Sequence, residues 1–343
     1  MGGSMTVPVR DFHVHSNCSD GLFEPTQLVR HASEAGVQEL SLTDHDTIAG
    51  LEEAETAARS LEMPFMPGME LTCRFSGRII HILGYGFETA VAADDAQLAD
   101  KLASVKQRDH EWAREMCQTS CKNPIVVRSP DGRRHRICIA PEELSWVRGT
   151  MPSPFHIAVV LSRKLADVSD ELRIPARHCL YLFTGRSEPD RWSESYWPEI
   201  RDQYADVLAR YSLSSGSYWW TERPTSDLLD AREAIETVIR IGGVPVLAHP
   251  GEQKLGDQDI REIADLGIQG VEVYTFKHSP TVVAELETLT KELGLFATSG
   301  TDFHDPFHRA QVGLGRDRHG EFLRSGFSIG DFRDLGAYVS GAK

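Results

Sequence analysis

Short apolar runs alternate with amphipathic stretches over residues 6–90, and each change of period marks a change of element. Val7 to Val14 predicts a first strand. Pro25 to Ala35 predicts a helix, with Leu28, Val29 and Ala32 on one face, Thr26 as its cap and Gly36 as its stop. Leu40 to Thr43 predicts a second strand, and Ile48 to Leu61, rich in Ala and Glu, a second helix. Phe65 and Met66 lead into Gly68-Met69-Glu70, and Ile79 to Gly84 predicts a fourth strand. The rhythm returns after residue 226. Helices are predicted over Ser226 to Ile241, Ile260 to Leu266 and Thr281 to Leu293, with strands over Val244 to Ala248, Gly270 to Tyr274 and Phe296 to Ser299. Such alternation predicts parallel βα units. Seven strand-like runs predict a βα barrel whose site lies at the C-terminal ends of the strands.

Residues 97–225 break the rhythm. Leu98 to Lys122 is one long helical pattern, and Ile125 to Val127 with Arg136 to Ile139 flank Pro130-Asp131-Gly132 as a hairpin. Phe155 to Leu165 again has helical spacing, and Trp192, Tyr196, Trp197, Tyr211, Tyr218, Trp219 and Trp220 form an aromatic cluster. The expected organisation is a discontinuous barrel, 6–96 with 226–343, and an inserted, mainly helical cap domain, 97–225. The insertion falls between the runs that carry His81 and His249. If both strand ends face the site, the insertion rises from the barrel mouth and can cover a substrate. Residues 1–4 read as an expression scar ahead of Met5.

Composition narrows the function. Forty-one per cent hydrophobic residues in 343 support a sizeable core, and the net charge of −15 argues against a large basic surface for a nucleic-acid backbone. Bound cations would reverse that sign locally, so an anionic substrate stays compatible. The chain has no apolar run long enough to span a membrane and no signal peptide pattern. Six scattered cysteines suit free thiols in a reducing cytoplasm, with Cys117 and Cys121 sharing a helix face as a buried pair.

The chemistry sits at the ends of the apolar runs. Phe12-His13-Val14-His15, Thr43-Asp44-His45-Asp46, Met69-Glu70, His81, Ala248-His249-Pro250 and Thr301-Asp302-Phe303-His304 all lie on or just after predicted strands, with Asp20 close behind the first. Neutral imidazole with carboxylate oxygen is a donor mix for zinc, manganese or iron. This predicts a polynuclear metal hydrolase.

Those pieces, with Ser19-Asp20-Gly21, Gly270-Val271-Glu272-Val273 and Gly300, resemble the PHP (polymerase and histidinol phosphatase) family, and most closely its bacterial phosphoesterases with an inserted domain. The resemblance implies a distorted seven-stranded (β/α)7 barrel holding three divalent ions. Carried over residue by residue, His13, His15, Glu70 and Asp302 would hold the first ion. Glu70 would bridge to a second, completed by His81 and His249. Asp20, His45 and His304 would hold the third. No ligand position is substituted.

The expected reaction is hydrolysis of a small-molecule phosphomonoester, with nucleotides among the candidates, by attack of a hydroxide shared between ions. The catalytic candidates are Glu70, His278 as a group that touches phosphate or protonates the leaving oxygen, and Asp46. Asp44 and Asp46 flank His45 and are expected to orient histidines, and Glu272 to serve the ligands or the strand. Arg148, His156, His278, Trp219 and Trp220 are the substrate-contact candidates. Three other readings stand beside this one. The first is a phosphodiesterase or exonuclease on short or cyclic nucleotides. The second is a non-catalytic metal-binding regulatory module, which the intact ligand set disfavours. The third is a C–N hydrolase, disfavoured because no lysine is recognised at the equivalent strand ends. No long nucleic acid and no membrane are expected as partners.

Overall fold

The computed structural model describes residues 9–128, 134–144, 160, 164, 224–225, 228–304, 314–315 and 328–331. Two compact units divide the chain: residues 1–106 with 225–343, and residues 107–224. The first unit holds a mixed sheet in the order β1 (Arg10–Val14), β2 (Glu39–Leu42), β3 (Phe65–Phe75), β4 (Arg78–Tyr85), β8 (Val244–Leu247), β9 (Gly270–Tyr274), β10 (Phe296–Ser299). The sheet curls until its two edges meet. Val14 bridges Phe303 in parallel, and the His15 N–H donates to the Phe303 carbonyl at 2.8 Å. The result is a nearly closed seven-stranded α/β barrel. A short strand, β7 (Leu229–Asp230), pairs outside it with Cys73 and Arg74 of β3.

Helices α1 (Pro25–Glu34), α2 (Leu51–Ser60), α6 (Asp257–Ala264) and α7 (Pro280–Leu293) follow barrel strands, α5 (Ala231–Arg240) follows β7, and α3 (Thr89–Asp94) and α4 (Ala96–Lys122) follow β4. The division between the units falls within α4. The second unit contains the antiparallel hairpin of β5 (Ile125–Arg128) and β6 (Arg134–Ile137) and a 3-10 turn, Pro141–Leu144. The helix expected over Phe155 to Leu165 lies almost wholly outside the described residues, and so does the aromatic cluster. Among the described residues no helix is long and apolar enough to cross a membrane.

Strand period two sorts the side chains. On β4, Ile80 and Ile82 pack outward into the core under the helices, while His81, Leu83 and Tyr85 take the other face. Leu83 and Tyr85 join Phe12, Met66, Val244 and Val246 in a cluster inside the barrel. Along β3, Met69 and Leu71 belong to the outer core, so Glu70 between them faces inward. The interior is therefore apolar at one level and carries the acidic and imidazole groups at another.

Three sequence expectations change here. First, β3 and β4 are antiparallel, as are β4 and β8, whereas the other barrel pairs are parallel. Only Ser76 and Gly77 link β3 to β4, both at positive φ (48° and 77°), which is the tight hairpin geometry and leaves no length for a crossover helix. His81 thus reaches the site from the first half of its strand. Second, β4 ends at Tyr85 opposite Val244, the start of β8, while His249 follows the far end of β8. The chain therefore leaves β4 at the end away from His249, and it does not rise directly from the mouth. It rejoins at Leu229, level with Cys73, three residues past Glu70. Third, helix starts shift where capping overrides the apolar pattern. α5 begins at Ala231 because Asp230 accepts the Glu233 N–H and Glu233 accepts the Asp230 N–H, a reciprocal cap. At α1 the cap position is Glu24, and Thr26 instead donates to Glu53 of α2 at 2.9 Å.

Candidate metal centre

His13 lies on β1, and His15 follows one residue after the strand ends. Both are fully buried, as is Glu70. The His13 Nε2 lies 3.0 Å from Glu70 Oε2 and 3.3 Å from Asp302 Oδ1. The His15 Nε2 lies 3.2 Å and 2.9 Å from the same two oxygens. His45, just past β2, places Nδ1 3.2 Å from Glu70 Oε2. On the other side of the carboxylate, His81 Nδ1 and His249 Nε2 approach Oε1 at 2.8 and 3.2 Å. A further group gathers Asp20 with His15, His45 and His304, the closest pair being His304 Nε2 and Asp20 Oδ2 at 3.1 Å. All nine sequence-predicted ligands thus converge. The structure adds that His45 faces both Glu70 and Asp20, the latter with its Nε2 at 4.0 Å.

The donor set fits divalent ions on two counts. Ligand atoms about 2.1 Å from one ion stand about 3.0–3.4 Å apart in octahedral or tetrahedral geometry, close to the 2.8–3.3 Å between the imidazole nitrogens and the oxygens of Glu70 and Asp302. Moreover, both ring nitrogens of His15, Nδ1 of His81 and Oδ1 of Asp302 are buried yet make no hydrogen bond of ordinary geometry among the described residues. Each such group costs about 1–3 kcal/mol unless something satisfies it, and several in one place call for a cation at their common focus.

Protons occupy the balance that cations would take. Burial pushes the Glu70 carboxyl up, but the His45, His13 and His81 rings outweigh it and hold it well below the usual carboxylate range. Asp302 is likewise held low against its burial, chiefly by Lys277 and His13. Burial works against charge on His15, yet Asp302 and Glu70 raise it to about 10. His13 is raised well above its ordinary value, whereas burial lowers His45 and His249. Cations entering this site would displace protons.

Surrounding acids fix the donors. Glu272, fully buried on β9, accepts from the His13 Nδ1 at 3.0 Å and from the His249 N–H at 2.9 Å. That leaves the His13 Nε2 facing Glu70 and Asp302. Among the described residues, Asp44 bonds to serines and not to a histidine ring. It accepts from the Ser16 N–H, the Ser16 hydroxyl and the Ser19 hydroxyl at 2.6–2.7 Å, and so shapes the loop that delivers Asp20. Asp46, at φ 49°, accepts from the Thr72 N–H at 2.9 Å while its own N–H donates to the Glu70 carbonyl. These bonds hold β3 at Glu70 and Thr72, which positions the Glu70 side chain. The His278 Nδ1 donates to the Val273 carbonyl at 2.9 Å, and its Nε2 accepts the Gly251 N–H at 3.0 Å. These bonds tie the loop after β9 to the loop of His249. Arg148, His156, Trp219 and Trp220 lie outside the described residues.

Two groups escaped the sequence reading. Asp11, inside the apolar first strand, accepts from the Thr301 N–H (2.9 Å), the Thr301 hydroxyl (2.6 Å) and the Gly315 N–H (2.8 Å), closing β1 onto the loop of Asp302. Its burial outweighs these bonds and raises its pKa to about 6. Lys277, which the sequence reading left without a role, lies three residues past β9, and its ammonium contacts both Asp302 and Glu252. Its neighbour His278 in the same loop was the available signal.

Residues 11–130 match the family model of the PHP domain. The 3',5'-nucleoside bisphosphate phosphatase of Chromobacterium violaceum is 29% identical over 300 residues, covering 86% of this chain and 87% of that protein. A 5'-3' exoribonuclease of Haemophilus influenzae is 29% identical over 311 residues, covering 90% and 94%. A solved protein of Bifidobacterium adolescentis, described as a candidate metal-dependent phosphoesterase, superposes with a TM-score of 0.67 at 22% identity, covering 97% of this chain and 98% of that one, a likeness of fold. The barrel and the converging donors agree with this match of residues 11–130 to the PHP domain.

Proposed function

We propose that this chain is a metal-dependent phosphoesterase that hydrolyses a phosphomonoester of a small molecule, with nucleotides as the leading substrate class. The observation that carries the reading is the convergence on Glu70, whose Oε2 is approached by His13, His15 and His45 and whose Oε1 is approached by His81 and His249. One carboxylate addressed from both sides by imidazoles is suited to bridge two ions. The proposed ligand sets are His13, His15, Glu70 and Asp302; Glu70, His81 and His249; and Asp20, His45 and His304. Three ions are proposed, and manganese, iron or zinc would suit these donors.

Bound divalent ions would supply Lewis acidity toward phosphoryl oxygens and a water of lowered pKa. The chain's own groups do the positioning. Glu272 presents the His13 Nε2, Asp44 shapes the loop of Asp20, and Asp46 anchors β3 beside Glu70. Complete burial of His13, His15 and Glu70 keeps bulk water from those donors and strengthens every charge interaction among them. Residues 97–225 are proposed to select the leaving group, with Arg148, His156, Trp219 and Trp220 as contacts. Support comes from the return of the chain at Leu229, paired to the strand of Glu70. A reducing, cytoplasmic setting is proposed, consistent with thiols outside disulfides at Cys73, Cys117, Cys121 and Cys138; Cys121 is exposed, which departs from the buried pair expected.

A second reading, exonuclease, is favoured by the relative of Haemophilus influenzae that carries that name. One experiment separates the two. Ion-reconstituted protein is given a panel of phosphorylated metabolites, nucleoside bisphosphates and 5'-phosphorylated oligoribonucleotides. Inorganic phosphate from the small molecules supports the phosphomonoesterase, whereas mononucleotides from the oligomers support the exonuclease.

A further inference from the structure

His249, Glu252 and Asp302 offer donor atoms that all lie within 4.8 Å of one another, a cradle that shares His249 and Asp302 with the proposed ligand sets and adds Glu252. A cation already stands there. The Lys277 ammonium contacts Glu252 Oε2 and Asp302 Oδ2, and the lysine side chain is 14% exposed. Glu252 Oε2 also lies 3.4 Å from the His249 Nδ1. The two oxygens of Asp302 are thereby divided: Oδ2 goes to Lys277, while Oδ1 faces His13 and His15 at 3.3 and 2.9 Å.

We propose that Lys277 is a built-in cation that takes the place of a metal ion in the His249–Glu252–Asp302 cradle and reserves Asp302 Oδ1 for the His13–His15–Glu70 cluster. Two observations favour this over a casual surface ion pair. The ammonium is largely shielded from water, so its interaction with carboxylates is not screened as an exposed pair would be. The three loops it joins follow β8, β9 and β10, each of which delivers a group to the site or to its support. The ammonium already contacts Glu252 Oε2 and Asp302 Oδ2, the oxygens a divalent ion in the cradle would need, so the two compete for the same donors. Lys277 is a positioning residue: it acts through Asp302 and limits where ions settle.

This inference rests on the metal-dependent reading, and its test reads ion number, not turnover. Wild-type protein and variants are loaded with manganese or zinc, dialysed, and measured for ions per chain, with a thermal melt of each. Lys277→Met should retain about one ion more than wild type, because the cradle is then open. The extra ion should disappear in Lys277→Met combined with Glu252→Gln, and Lys277→Arg should keep the wild-type number. Glu252→Gln alone, at a half-exposed position that folding tolerates, should also keep the wild-type number, since Glu252 holds no ion while the lysine is present. A Lys277→Met protein with the wild-type number or fewer overturns the proposal. So does loss of an ion from Glu252→Gln, which decides the matter even if Lys277→Met fails to fold. Wild-type protein that retains no ion at all would defeat the parent reading, and this one with it.

Discussion

Glu272→Gln is the most informative substitution at this site, because it changes one atom's chemistry and almost no volume. Glu272 uses both oxygens as acceptors, one from the His13 Nδ1 and one from the His249 N–H. A glutamine has one acceptor and one donor amide in that space. If its NH2 faces the His249 N–H, two donors meet in a fully buried place, at a cost of about 1–3 kcal/mol. If its NH2 faces the His13 Nδ1, that nitrogen must accept, and the ring proton moves to Nε2. That atom faces Glu70 and Asp302, and once protonated it cannot bind an ion. Either way the histidine's donor quality falls. Loss of such a supporting contact typically costs about 10–100-fold in metal affinity, or about 1.4–2.7 kcal/mol. Competition with a chromophoric chelator reads the affinity directly, and near-ultraviolet circular dichroism checks that the fold is retained. An affinity within about twofold of wild type, in folded protein, would refute the argument that Glu272 sets the His13 tautomer.

Two further outcomes follow from the closure of the barrel. A Cβ on Gly300 would lie 2.3 Å from the His13 Cβ and 2.4 Å from Glu272 Oε1, so Gly300→Ala should lower both the melting temperature and metal retention; a normal melt with normal ion content would contradict this close packing. Asp11 is raised from its ordinary 3.8 to about 6 by burial, so the folded state takes up a proton there before the unfolded chain does. Its contribution is most favourable below pH 3.8 and is lost as pH rises to about 6, a change of about 3 kcal/mol. Asp11→Asn cannot ionise. The stability difference between wild type and this variant, from denaturant titrations at several pH values, should therefore shift toward the variant across that window, and a flat difference would show the site is not shifted.

The site was more legible in the sequence than its supports were. His13, Glu70, His249 and Asp302 each sit on or just after an apolar run, and period two then fixes which face they share, so local pattern sufficed. Asp11 was hidden because its partners, Thr301 and Gly315, are some three hundred positions away, and nothing local distinguishes it from an exposed strand acid. Lys277 and Glu252 lie on loops, where no period operates, and their meeting depends on how β8, β9 and β10 stack. The direction of β4 was missed for a related reason. An apolar run reads the same either way, and only the two-residue link at Ser76 and Gly77 shows that it must turn back. His278 shows what sequence does not give: nothing local foretells that the carbonyl of Val273 and the N–H of Gly251 meet its two nitrogens.

The central claim, that Glu70 organises ions which make this barrel a phosphoesterase, is tested most directly by phosphate release from a nucleoside 3',5'-bisphosphate, measured in parallel on wild type and Glu70→Gln with and without added manganese. The account predicts ion-dependent release by wild type, abolished by chelation and restored by the ion, together with loss of the two ions that Glu70 would share, and of release, in a Glu70→Gln protein that retains its fold. Release that survives chelation, or a folded Glu70→Gln protein that keeps wild-type ion content and rate, would contradict it.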